Sequence, residues 1–415
     1  MRSFWSFLLV NVFVLGCSTP DAGNLISGPK DFDDTVILIS FDGLRADYIS
    51  WYDTPNLDRL IAGGAHASEG MMPVYPSKTF PNHYSVVTGL YPANHGIVSN
   101  SMYDSELDDT FAINDREAIT DSRWWGGEPI WVTAENNGIL SATYFWVGSE
   151  APVKDVQPTY WFTYDHNIPG EERVDQVLAW LDMPDGERPD FISVYFPHVD
   201  DAGHRYGPEA PETGEAVTLI DSFVGRLLDG LESRDVFDHV NIIITADHGM
   251  SQLSPDRVIA LDDYIDLDDV SFFYGSPLLG LHPVEGKTDV LYNALKGAHP
   301  NLSVYRKGEM PERFHYRDNH RIPPIVGYAD DGWSISRTRD FAEQNPDRFS
   351  GATHGFDNEA LSMRATFIAH GSAFKEGVTI APFLNIELYN VMAGILGIEP
   401  APNDGTPGSM ASILR

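Results

Sequence analysis

Three carboxylates and three imidazoles sit where chemistry is possible. Asp42 lies in Ser-Phe-Asp-Gly, Asp200 and His204 in Asp-Asp-Ala-Gly-His, Asp247 and His248 in Thr-Ala-Asp-His-Gly-Met, and His354 in Thr-His-Gly-Phe-Asp-Asn. Carboxylate oxygen and imidazole nitrogen form the hard-to-borderline donor set that suits Zn²⁺. A single Asp at a strand end is more often a helix cap, and a single His is more often structural. Asp-His adjacency and Asp-x-x-x-His in one chain turn the reading toward metal. Gly203, Gly249 and Gly355 each flank one of the six and are expected to permit tight turns beside an ion.

Thr79, in Pro-Ser-Lys-Thr-Phe-Pro-Asn-His, is the candidate nucleophile. A threonine hydroxyl attacks poorly unless a base or metal lowers its pKa, and zinc does so directly. The pattern predicts a helix from Thr79 toward Thr88, whose free amides and dipole would favour negative charge there. The bland alternative is that Thr79 merely caps that helix. Lys78 beside it is either a phosphate contact or a solvated lysine.

These residues need elements to hold them. Apolar, β-branched runs predict buried strands at Thr35–Ser40, Ser141–Val147, Phe191–Phe196, Val240–Thr245 and Ala365–Ala369. Thr54-Pro55 reads as an N-cap and first helical position for a helix through Ala62. Further helices fit Glu171–Leu181, Glu212–Leu231 and Asn385–Leu396. The alternation predicts an α/β fold with a mostly parallel sheet, and ligands in such sheets bind beyond the carboxyl ends of the strands. Three of the runs lead directly into Asp42, Asp200–His204 and Asp247-His248. Residues 276–337 break the rhythm with a helix at Lys287–Leu295 and short strand-like pieces (SVYR, WSIS). They read as a small α+β insertion capping the sheet.

Composition narrows the partners. The chain has 415 residues, with 61 acidic and 27 basic side chains giving a formal charge of −34. Such acidity argues against polymeric DNA or RNA. It leaves room for a small anionic substrate if metal ions supply positive charge. The single cysteine, Cys17, excludes an intrachain disulfide and a cysteine zinc site.

Residues 1–16 read as a signal peptide, with Arg2 as its basic region and an apolar stretch too short to span a bilayer. Val14-Leu15-Gly16-Cys17 resembles a bacterial lipobox. Cys17 is therefore the expected lipidation site and 17–34 a tether, which would make the chain an outer-membrane-anchored lipoprotein of the cell envelope. A plain secretory signal is the alternative.

The chain resembles the nucleotide pyrophosphatase/phosphodiesterase family of the alkaline phosphatase superfamily. The matching segments are ILISFDGLRADY from Ile37, PVYPSKTFPNHYSVVTGLYPANHGIVSNSMYD from Pro73, FWVGSE from Phe145, DDAGHRYGP from Asp200, TADHGM from Thr245, HGFDNEALSMRATFIAHGSAF from His354 and IELYNVMAGILGIEPAPNDGT from Ile386. The resemblance implies an alkaline-phosphatase-like catalytic domain over 35–415 with two zinc ions. Asp200, His204 and His354 would hold one ion. Asp42, Asp247, His248 and the Thr79 oxygen would hold the other. Asn100 matches the family's amide to a phosphate oxygen, and Phe80, Tyr195 and Tyr164 match positions around a nucleobase. His198 departs from the pattern, standing where an acidic residue is common.

The implied activity is two-zinc hydrolysis of nucleotide phosphodiester and pyrophosphate bonds through a phosphothreonine, releasing nucleoside 5′-monophosphates. An alkyl or choline-phosphate diesterase and an inactive binding lipoprotein that keeps the fold are the competing readings. A sulfatase would need Cys or Ser where this chain has Thr79. Nothing in these motifs specifies an oligomeric state.

Overall fold

The structure is a computed structural model, described here over residues 32–415. Cys17, the signal peptide and most of the tether lie outside the described residues. No helix among those described is long and apolar enough to cross a membrane.

The central sheet has eight strands, in the order Val378–Ile380, Ala65–Ala67, Phe367–His370, Asn241–Thr245, Val36–Phe41, Phe191–Phe196, Ser141–Tyr144 and Tyr160–Trp161. The β-branched runs lie in the middle because only central strands are covered on both faces. Every residue of Val36–Phe41 is buried. The two neighbours of that strand run parallel to it and level with it, Val36 facing both Phe191 and Asn241. Phe41, Phe196 and Thr245 therefore end on one edge of the sheet.

Phe367–His370 departs from the parallel rule. It pairs antiparallel with Asn241–Thr245, Phe367 facing Thr245. The chain entering this strand arrives at the edge where its neighbours leave. That reversal brings the His354 loop to the same side as Asp42 and Asp247. The sheet is thus mixed, though most of its pairings are parallel.

Helices Pro55–Gly63, Gly170–Leu181 and Pro211–Glu232 pack together on one face. Val217, Ile220, Val224, Leu227, Leu228 and Leu231 form the apolar stripe of the longest helix, at helical spacing. Asp221 is the buried exception on this stripe. Its carboxylate accepts from the backbone N–H groups of Asn56 (3.2 Å) and Leu57 (2.8 Å). Thr54 does hold the N-cap position, but its side chain makes no capping bond. The free amides are satisfied from another helix instead, a contribution of about 1–2 kcal/mol for a cap of this kind.

A separate antiparallel sheet contains Val270–Gly275, Leu278–Pro283, Ile325–Ala329 and Leu302–Arg306, in that order. Helix Thr288–Leu295 packs on it, and Val258–Ala260 pairs with Ser334–Ser336 nearby. This sheet has its own apolar core around Leu279, Leu281, Leu291 and Ile325.

The strand expected over Ser141–Val147 stops at Tyr144. Phe145 adopts a left-handed backbone, φ 69°, which no strand continues through. Asp200–His204, expected directly past a strand, lies on a helix, His198–Tyr206.

Candidate active site

Helix His198–Tyr206 places Asp200 and His204 four residues apart, on one face. Their groups approach to 3.4 Å, and His354 Nε2 lies 3.8 Å from the same Asp200 oxygen. Asp42, Asp247 and His248 form a second group just past the strand ends. There His248 Nε2 lies 2.8 Å from Asp247 and 3.6 Å from Asp42. Within each trio the potential ligand atoms all lie within 4.8 Å of one another. The trios abut, since the His248 and His354 rings stack with centroids 3.5 Å apart.

The imidazoles share one orientation. Nδ1 of His204, His248 and His354 faces the carbonyl oxygens of Ala352, Gly249 and Ser77 at 2.8–2.9 Å. A nitrogen bound to a carbonyl must carry the proton, so each Nε2 presents a lone pair inward. Asp42 Oδ1, Asp200 Oδ1 and Asp247 Oδ2 are buried without hydrogen-bond partners. Unpaired carboxylate oxygens facing imidazole lone pairs are costly unless a cation lies among them. Burial, followed by repulsion among the carboxylates, pushes Asp42 and Asp247 well above the usual carboxylate range. Burial holds His248 and His354 below the usual imidazole value. Divalent cations would reverse both penalties, so these residues fit a metal centre.

Glycines allow the closeness. Gly43 has φ 71°, and a Cβ there would meet Asp200 Cα at 3.0 Å. Its N–H donates to Asp247 (3.2 Å). Gly355 has φ 106° and lies against the Lys78 side chain. The expectation of a tight turn fails at the other two. Gly203 is inside a helix beside Met250, and Gly249 is required by the close approach of the Ser362 carbonyl.

Thr79 is the first residue of helix Thr79–Thr88, with Lys78 in the cap position. Its hydroxyl is free of capping duty and lies 3.3 Å from His248 Nε2. The helix amides are less available than expected. Phe80 N–H donates to Asn100 Oδ1 (3.0 Å), Pro81 has none, and Asn82 N–H bonds Lys78 O. The Thr79 N–H is left as the donor of this turn. Asn100 is anchored through its oxygen, so its NH₂ group is presented as a donor beside Thr79.

Lys78 neither contacts solvent freely nor points a loose charge at substrate. Its Nζ donates to His354 O (2.9 Å) and Ser276 O (3.2 Å), and burial lowers its pKa to about 8. It ties the His354 loop to helix Thr79–Thr88.

Tyr195 is 9% exposed, and its hydroxyl donates to Asp42 Oδ2 (2.7 Å). Tyr164 is exposed, its ring 6.2 Å from that of Tyr195. Phe80 makes ring contacts with Phe111 and Trp125. His198, the departure from the family pattern, packs edge-on against Phe223.

His83 escaped the sequence reading. Ser40 Oγ lies 2.8 Å from its Nε2, and its Nδ1 lies 3.0 Å from Thr79 O and 3.4 Å from Asp247. Burial drops its pKa to about 3, so it is neutral. The signal was the spacing Thr79-x-x-x-His83, which puts both on one helix face.

Residues 36–357 match the profile of the type I phosphodiesterase / nucleotide pyrophosphatase family, which is most of the chain. The chain belongs to this family. Among type I phosphodiesterase / nucleotide pyrophosphatase relatives, the venom phosphodiesterase CdcPDE of Crotalus durissus collilineatus is 40% identical over 93% of the chain. The alignment spans 47% of that protein, so the chain covers about half the length of such relatives. An uncharacterized pyrophosphatase/phosphodiesterase of Schizosaccharomyces pombe is 40% identical over 92% of the chain and 81% of its own length. The solved structure of murine ectonucleotide pyrophosphatase/phosphodiesterase 5, in an inactive form in complex with AMP, superposes with a TM-score of 0.87 at 36% identity. It covers 92% of this chain and 100% of its own. The family's alkaline-phosphatase-like α/β fold is therefore the fold of this chain.

Proposed function

We propose that this chain hydrolyses nucleotide phosphodiester and pyrophosphate bonds through a covalent phosphothreonine at Thr79, releasing nucleoside 5′-monophosphates. The carrying observation is one hydroxyl at a helix start, 3.3 Å from His248 Nε2, beside two abutting Asp/His trios. AMP bound to a relative of the same fold supports a nucleotide as substrate.

Two Zn²⁺ ions, one on Asp200, His204 and His354 and one on Asp42, Asp247, His248 and Thr79, would supply Lewis acidity and offset the phosphate's negative charge. The chain's own groups do the rest. Thr79 Oγ1 loses its proton to solvent and forms a bond to phosphorus. The opposite P–O bond breaks, and the leaving oxygen takes the electron pair. Asn100 NH₂ and Thr79 N–H donate to the phosphoryl oxygens as their charge grows. Water then attacks phosphorus from the vacated side, and the P–O bond to Thr79 breaks and the hydroxyl regains a proton. Two inversions give net retention. Tyr195 holds Asp42 in orientation, while Tyr164 and Phe80 offer aromatic faces for a base, with stacking of about 1–3 kcal/mol.

The deciding experiment compares p-nitrophenyl thymidine 5′-phosphate with p-nitrophenyl phosphocholine, before and after zinc removal. Preference for the nucleotide, lost on zinc removal and regained on return, supports the proposal. Preference for the choline ester overturns the substrate class. Asn100→Ala should lower kcat by about 10²-fold, as for other oxyanion donors, with KM little changed. A KM effect alone would make Asn100 a ground-state contact only.

The envelope location belongs to the same proposal. An alkyne palmitate analogue fed to cells should label the wild-type chain and not Cys17→Ser. Equal labelling of both would remove the anchor.

A further inference from the structure

We infer that Arg337 and Arg348 form a subsite for an anionic leaving group, making phosphate-bearing leaving groups the preferred ones. The inference rests on the phosphodiesterase reading and adds a residue-level specificity to it.

The direction of the reaction selects the place. Thr79 belongs with the Asp42, Asp247 and His248 trio. In-line displacement puts the leaving oxygen opposite, on the side of Asp200, His204 and His354. His204 is the exposed member of the six. It forms part of the wall of a 620 Å³ cleft that also holds Arg337, Arg348 and Asp347. Besides His204, its charged lining residues are these two arginines and one carboxylate. Among the described residues neither arginine has an ion-pair partner, in a chain whose formal charge is −34. Arginines at the surface of so acidic a protein are ordinarily paired, as Arg226, Arg234, Arg313 and Arg339 are here.

A second cleft, of 480 Å³, opens from Asn100 and Lys78, and Phe273 borders both. Lys78 is its cation, and that ammonium is committed to two carbonyl oxygens. A phosphate chain therefore finds unpaired positive charge beside His204 and none beside Asn100. Guanidinium groups suit phosphate because their N–H forks match its oxygens.

The test uses the full zinc-loaded chain and two substrates with one nucleotidyl group, thymidine 5′-triphosphate and p-nitrophenyl thymidine 5′-phosphate. In R337A/R348A, kcat/KM for the triphosphate should fall about 30-fold, against less than about threefold for the nitrophenyl ester. The double lysine variant R337K/R348K should recover much of the loss, because the charge is kept. Inhibition of ester hydrolysis by inorganic pyrophosphate should weaken in parallel. Equal losses on both substrates, or no loss on either, overturn the subsite. Wild-type hydrolysis of the ester without the triphosphate also overturns it while leaving the phosphodiesterase reading intact. Hydrolysis of neither overturns that reading and the subsite with it.

Discussion

Thr79→Ala should reduce turnover of p-nitrophenyl thymidine 5′-phosphate by about 10⁴-fold or more, the scale seen when a nucleophile is removed. The fold should survive. The Thr79 hydroxyl caps nothing, since Lys78 is the cap residue and the Asn100 bond is to Phe80 N–H, and its one side-chain contact is the long 3.3 Å approach to His248 Nε2. The thermal midpoint should therefore move by no more than about 2 °C, a shift equivalent to a small surface change. Metal content should stay close to that of the wild type, because each trio keeps its carboxylates and imidazoles. Thr79→Ser should retain a measurable fraction of the rate, as the oxygen is preserved. Full activity in the alanine variant would exclude the covalent route. Loss of metal together with activity would recast Thr79 as a ligand alone.

Metal removal should have the second large effect, and one substitution should shift the midpoint in opposite directions with and without the metal. Chelation should abolish hydrolysis and lower the thermal midpoint by on the order of 5–10 °C, as expected when a tightly bound partner of the native state is lost. The cause is visible in the stripped site. Asp42 and Asp247 are buried, face each other and Asp200, and hold oxygens without hydrogen-bond partners. Asp247→Asn removes one of those charges. In the chelated protein it should raise the midpoint, because the buried repulsion falls. In the zinc-loaded protein it should lower the midpoint, because a ligand is lost. Differential scanning calorimetry of both variants in both states checks this. The same sign in both states would show that the carboxylates are held by something other than a cation.

Much of the site was legible because its signals are local. The runs of Ile and Val that make Val36–Phe41, Phe191–Phe196 and Asn241–Thr245 are continuous, and a strand buried on both faces needs such a run. Two of the six ligand candidates are neighbours in sequence, and two lie four residues apart, so their grouping is written in short segments. The start of the Thr79 helix was legible for the same reason. What escaped depends on contacts between distant segments. His83 acquires meaning only from Ser40 and Asp247. Asp221 reads as an ordinary helix residue until helix Pro55–Gly63 places its amides against it. The strands Ala65–Ala67 and Tyr160–Trp161 are too short to carry a pattern. Phe145, within an apolar run, gave no sign of its turn.

The amino-acid order by itself determined which side chains could hold metal, which hydroxyl could attack, and that the scaffold is a layered α/β sheet, because residue chemistry and hydrophobic period are properties of neighbours along the chain. The tertiary structure decided that the sixth ligand candidate joins the others. His354 reaches them because the strand after it runs against its neighbour, and strand direction is set by packing across the sheet, which no local pattern encodes.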